Sequence, residues 1–170
     1  MKFWRKAFEP WMIAFSTCTS SAALPVSMEV APKKMGVPRD IASFVLPLGC
    51  TAQMNGTCAY FGIVVLFAAQ LYGVELSIQQ QIMLVVQATF LSVGCAATPQ
   101  IGLVISLTLM TQMGLPLDAY ALVAGIYRII DQIHTSTNSV GDLVASVCIS
   151  QMEGELDHDI FNQEEAKKAA

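Results

Sequence analysis

Tyr127–Asp142, Y-R-I-I-D-Q-I-H-T-S-T-N-S-V-G-D, continues an apolar run that begins near Ala119. Within it Asp131, His134, Thr135, Asn138 and Asp142 fall at i, i+3, i+4, i+7 and i+11. That spacing puts all five in a narrow stripe on one helical face. Arg128 borders the stripe, while Ile126, Ile129, Ile130, Ile133 and Val140 occupy the other faces. A soluble protein would turn such a stripe to water. In a membrane protein the same stripe would be an interior polar wall, so the surroundings of the helix decide which it is.

Those surroundings are apolar. Hydrophobic residues make up 54% of the chain and charged residues 13%, about half the usual charged share. Between Ile41 and Tyr127 only Glu75 and Asp118 carry charge. Two charges cannot solvate the surface of a soluble fold over that length, which points to an integral membrane protein. Lys and Arg cluster at the start, before Ile41 and at the far end, and the loops at 73–80 and 113–119 have none. By the positive-inside rule both termini are cytoplasmic and those two loops face outside. Residues 154–170 read as a solvated acidic tail, since 151–170 holds six acids and two lysines. The five cysteines lie in apolar or small-residue contexts without metal-ligand spacing, as small core residues do.

The apolar segments are too short for simple spans, which need about 20 residues. Ile41–Cys50 has ten, Cys58–Val74 seventeen, Ile82–Ala97 sixteen and Ile101–Met113 thirteen. Small or helix-breaking residues bound each one. The pattern predicts a hairpin over about 3–31 whose tip is the Ser/Thr-rich run at 16–23, then a helix over 41–74 broken by Gly49–Thr57. A second hairpin over about 77–113 follows, and then the striped helix over 117–153. The expected fold is an all-α membrane protein of two inverted repeats, each a re-entrant helical hairpin plus a broken transmembrane helix. Irregular backbone at membrane depth survives only where protein buries it or a cavity runs beside it, as in secondary transporters.

A carboxylate in such a place is costly and takes a partner. Asp131 could pair with an ammonium group of a substrate, or with Arg128. Asp142, with carbonyls of the Gly49–Asn55 break, could form a hard-oxygen site for Na+, or bind a proton. No P-loop, GxSxG or similar catalytic pattern is present, so no enzyme is expected. Nothing suggests nucleic-acid binding, and no cofactor beyond a coupling ion is called for.

Four motifs then carry a resemblance. They are S-S-A-A-L-P-V at 20–26, F-V-L-P-L-G at 44–49, Q-M-N-G-T at 53–57, and Asp131, Thr135, Asn138 and Gly141-Asp142. Together, over about 8–153, they resemble the dicarboxylate/amino acid:cation symporter family, which includes the glutamate transporter homologues. The resemblance implies a multi-pass protein of the plasma (inner) membrane, a homotrimer where the family's scaffold is supplied. A mobile core would carry an amino acid or dicarboxylate with Na+ or H+ by an elevator movement. By position, Asp131 would hold the substrate amino group, supported by Thr135 and Asn138. Ser20 and Thr98 would offer backbone contacts from the two tips, and Thr57 would line the pocket. Gly49, Gln53, Asn138 and Asp142 match one cation site. Thr51, Ser92, Val93 and Cys95 match a second, mainly through carbonyls, and Asn55 with Gln53 matches part of a third.

Two departures shape the expectation. The family's N-M-D-G-T is Q-M-N-G-T here, so Asn55 removes a formal charge from the third cation site. Members that carry acidic substrates place an Arg where His134 stands, and imidazole is no substitute for a guanidinium fork. The expectation is a substrate other than glutamate or aspartate, such as a neutral amino acid, with acidic substrates still open because a cationic His134 could serve them. The resemblance starts inside the first hairpin helix, so the family's scaffold helices lie outside this sequence. The alternative expectation is therefore a truncated or split module that transports only with a scaffold partner.

Overall fold

A computed structural model describes residues 2–95 and 99–163. It is built from helices, with no strand among the described residues. They run α1 (Lys2–Thr17), α2 (Ser20–Met35), α3 (Arg39–Ala52), α4 (Asn55–Leu71), α5 (Ile78–Val93), α6 (Ile101–Gln112), α7 (Asp118–Met152) and α8 (His158–Asn162).

The breaks are short, and each has a local cause. Cys18 takes φ 55° between α1 and α2, which touch along their lengths. Gly36 ends α2 in the left-handed region, φ 71°, where glycine is free of the Cβ penalty. Gln53 and Met54 separate α3 from α4. Arg39–Leu71, with that break inside it, has mean hydropathy 1.5. Among the described residues it is the one stretch long and apolar enough to cross a membrane. α5 and α6 are shorter apolar helices that touch each other, with Ser77 and Gln80 forming a capping box at the start of α5.

α7 runs through the middle and packs against α1, α2, α3, α4 and α6. Its first half joins α4, α5 and α6 in an apolar cluster around Phe61, Val65, Leu109, Met110 and Val123. Its second half joins α1, α2 and α3 around Ala7, Met35, Leu46 and Leu143. Asp131, His134, Thr135, Asn138 and Asp142 are all buried, while Ile126, Ile129 and Ile133 are 58%, 61% and 56% exposed. Polar in and apolar out is the reverse of a water-facing helix. Phe44 and Phe90, 70% and 75% exposed, extend that apolar exterior.

The basic residues before Ile41 lie mostly on helices, because α2 continues through Pro32 to Met35 and α3 starts at Arg39, leaving only Gly36–Pro38 between them. Lys33 and Lys34 thus sit in the last turn of α2, where the helix dipole favours cations. The described part of the acidic end is mostly exposed and includes α8. Asp157 caps α8 through the N–H groups of Asp159 and Ile160, both at 3.0 Å. Leu156 and Phe161 pack on the second cluster. Buried Lys6 donates to the carbonyls of Lys34 at 2.6 Å, Ile160 at 2.9 Å and Phe161 at 2.8 Å, tying α8 to α1 and α2.

Candidate functional site

The stripe of α7 faces three chain interruptions, namely the α1–α2 link, the α3–α4 break and the start of α6. Glycines let two of them come close. A Cβ on Gly56 would run into the His134 carbonyl, and one on Gly102 would lie 2.6 Å from the Tyr127 hydroxyl. One small cavity of about 20 Å³ gathers the result. Cys18, Thr19 and Ser20 come from the first link, Met54 and Thr57 from the break, and Cys95 and Gly102 from either side of the α5–α6 link. Asp131, His134, Thr135 and Asn138 form its α7 wall. That volume is room for about one water, so anything larger enters only if a wall moves.

A larger groove of about 480 Å³ runs between α4 and α7, past Ile63, Phe67, Ile126 and Ile133. Its walls are almost wholly apolar, and convergent polar groups are what mark a binding site. The chemistry therefore belongs to the smaller space.

Asp131 accepts from the Thr135 hydroxyl at 3.0 Å and from the Gln100 N–H at 3.1 Å. His134 Nε2 lies 3.4 Å from its Oδ1. Arg128 turns away and donates to the Ser16 carbonyl at 3.3 Å. The Arg128 pairing left open by the sequence is not formed, and His134 takes that place. The imidazole stacks on Tyr60 at 5.3 Å and 20°. Its Nδ1 is 3.3 Å from the Thr57 hydroxyl and its Nε2 3.2 Å from the Tyr127 hydroxyl. Asn138 accepts the Gly56 N–H at 2.7 Å and donates to the Thr57 hydroxyl at 2.9 Å. The break is thereby bonded directly to α7.

At the other end of the stripe, Asp142 Oδ1 is buried with no hydrogen-bond partner among the described residues. A Cβ on Gly49 would collide with that oxygen, so the α3 backbone lies directly against it. Gln53 and Asn55 sit against Gly141. They also face a separate cavity of about 400 Å³ beside Trp4 and Trp11. Gly49, Gln53, Asn138 and Asp142 thus lie along one side of the break.

The remaining positions are looser. Thr51 is exposed and bonds back to the Leu48 carbonyl at 2.9 Å. Ser92 is buried and bonds to the Thr89 carbonyl at 2.8 Å, Val93 is 51% exposed, and Cys95 lines the small cavity. α3 and α5 touch, but no described hydrogen bond joins Thr51 to 92–95. Thr98 lies outside the described residues. Sequence reasoning missed Tyr60, Tyr127, Gln100 and Gly102 as parts of the site. For Tyr127 a signal existed, since it stands four residues before Asp131 on the same stripe.

Comparison with known proteins places this arrangement. A model of the sodium:dicarboxylate symporter family matches residues 1–152. An excitatory amino acid transporter of Caenorhabditis elegans is 37% identical over 92% of this chain and 32% of its own length. A proton/sodium-glutamate symport protein of Bacillus subtilis is 40% identical over 84% of this chain and 33% of its own. Human excitatory amino acid transporter 2 is 35% identical over 91% of this chain and 27% of its own. The chain spans about a third of the length of these relatives. A match over residues 1–152, nearly the whole chain, means that this chain belongs to the sodium:dicarboxylate symporter family.

Proposed function

We propose that this chain forms the substrate- and cation-binding core of a secondary active transporter in the plasma (inner) membrane. It couples the entry of Na+ or H+ to the symport of an amino acid or dicarboxylate. The pairs α1–α2 and α5–α6 are re-entrant hairpins, α3–α4 and α7 are the spanning helices, and the two units are inverted repeats. Both termini are cytoplasmic. The core moves as an elevator against a scaffold, within a homotrimer.

Asp131 takes the substrate amino group, with Thr135 and Asn138 holding the geometry. Ser20, Thr57, His134 and Thr98 line the substrate space. Gly49, Gln53, Asn138 and Asp142 hold one cation. Thr51, Ser92, Val93 and Cys95 hold a second through carbonyls, and Asn55 with Gln53 contributes to a third. The observation that carries this reading is the pair of buried carboxylates on α7, one beside the small polar cavity and one with an orphan oxygen against Gly49. Buried carboxylates at membrane depth belong to substrate and ion pathways. The relatives are named for glutamate, yet Arg128 faces Ser16 here. With only imidazole in the pocket, a neutral amino acid fits better than a dicarboxylate.

Proteoliposomes holding this chain together with the family's scaffold, under an inward Na+ gradient, test this. Alanine uptake is expected to depend on Na+ or H+ and to vanish in Asp131→Ala. Saturable glutamate uptake lost in His134→Ala would overturn the neutral-substrate part. Failure of every amino acid to respond to either ion would overturn the whole reading.

A further inference from the structure

Two side chains in the small cavity carry nitrogen donors, His134 and Asn138. Asn138 Nδ2 is already committed to Thr57 Oγ1 and Met54 Sδ, which leaves His134 as the donor whose surroundings decide. The direction of its hydrogen bonds can be followed from a fixed point. The Gly56 N–H donates to Asn138 Oδ1, so Asn138 Nδ2 donates onward to Thr57 Oγ1. The Thr57 proton then has two acceptors, His134 Nδ1 at 3.3 Å and Met54 Sδ at 3.9 Å. The nearer nitrogen is also the stronger acceptor. With Nδ1 accepting, the ring N–H is on Nε2, shared between the Asp131 carboxylate at 3.4 Å and the Tyr127 hydroxyl at 3.2 Å. Tyr60 covers one face of the ring.

Tyr127 is held in that position. Its hydroxyl lies against the Cα of Gly102, where a Cβ would come within 2.6 Å. Its ring meets Tyr60 edge-on at 5.4 Å and 61°. It is buried and cannot swing aside without displacing α6.

We propose that Tyr127 is a specificity-determining residue: its hydroxyl, the nearer of the two acceptors at His134 Nε2, joins Asp131 in taking up that N–H and denies it to a second carboxylate. The site accordingly selects α-amino acids with small uncharged side chains over acidic ones. This rests on the transport reading above. A carboxylate arriving without a free donor keeps its desolvation cost uncompensated. Replacing Tyr127 by Phe retains the ring packing and removes only the competing hydroxyl.

The test uses the full 170-residue chain in lipid nanodiscs, with unlabelled alanine, serine and glutamate competing against labelled alanine in Na+. The native chain is expected to prefer alanine and serine. Tyr127→Phe is expected to move the alanine-to-glutamate affinity ratio roughly tenfold toward glutamate, the worth of about one hydrogen bond. A ratio that stays put, or a uniform loss of all affinities, gives Tyr127 a merely structural role and overturns the proposal. Absence of alanine binding in the native chain instead overturns the transport reading, and is seen before any variant is made. A ligand-free measurement guards the contact itself. The chain has two histidines, His134 and His158, so ring nitrogen-15 signals are readily assigned. Tyr127→Phe is expected to move those of His134 and leave those of His158. Unmoved His134 signals would show that the hydroxyl does not engage the imidazole.

Discussion

Asp131 and Asp142 lie on one helix, both buried, and the rest of the chain treats them in opposite ways. Asp131 is surrounded by donors, namely the Thr135 hydroxyl, the Gln100 N–H and the His134 ring. Asp142 has one oxygen with no partner among the described residues and the Cα of Gly49 pressed on it. Donors to an anion are strong bonds and hold it in one geometry. An orphan buried oxygen is a standing cost unless something from outside the chain meets it. The first carboxylate is therefore organised by the protein itself. The second is organised for an ion, if the proposed function holds.

Removing Asp131 should be the most damaging change. Asp131→Ala leaves the buried Thr135 hydroxyl and His134 ring, and the Gln100 N–H, without their acceptor, and each buried donor left unsatisfied costs about 1–3 kcal/mol. Unfolding in mixed micelles should show that loss with and without Na+ alike. A loss within experimental error would mean that Asp131 is no better satisfied than Asp142, and the contrast would collapse.

Gly49→Ala probes the other carboxylate from the backbone side. The added methyl meets Asp142 Oδ1, an overpacking worth about 1–3 kcal/mol. It should also remove any stabilisation by Na+, because the methyl takes the space in front of the oxygen. If Na+ still raises the unfolding midpoint by the native amount, the ion is bound elsewhere.

The contrast also shows what could be read beforehand. The striped helix was legible because a period of 3.6 and reversed polarity are both local signals. The break at Gln53–Met54 was legible to within a few residues, from glycine and amide-bearing residues inside an apolar run. Which neighbour would take Asp131 was not legible. Arg128 and His134 stand three residues to either side of it, and only packing turns one to Ser16 and the other inward. Tyr60 and Tyr127 read as core aromatics, because their roles depend on Thr57, Gly102 and His134 arriving from distant chain. At the far end, acidic composition suggests a solvated segment; that three carbonyls meet Lys6 and that Leu156 and Phe161 pack half-buried on the second cluster are tertiary facts with no local signal.

The smallest expected effect is also the one that separates the two carboxylates by sign. Asp142→Asn keeps the shape and removes a charge that has an unpartnered oxygen, so the ion-free protein should lose no stability and should gain up to about 1 kcal/mol. Its response to Na+ is a different matter. An ion that binds only the folded form stabilises it by RT ln(1 + [L]/Kd), about 2.7 kcal/mol at a hundred times Kd. The native protein should therefore become more stable as Na+ rises, and Asp142→Asn should not. Stability measured against Na+ concentration would give a rising line for one and a flat line for the other, crossing at low Na+. If Asp142→Asn destabilised the ion-free protein as much as Asp131→Ala does, Asp142 would be an ordinary structural carboxylate whose partner lies outside the described residues. The assignment of the stripe's two ends to substrate and cation would then fail.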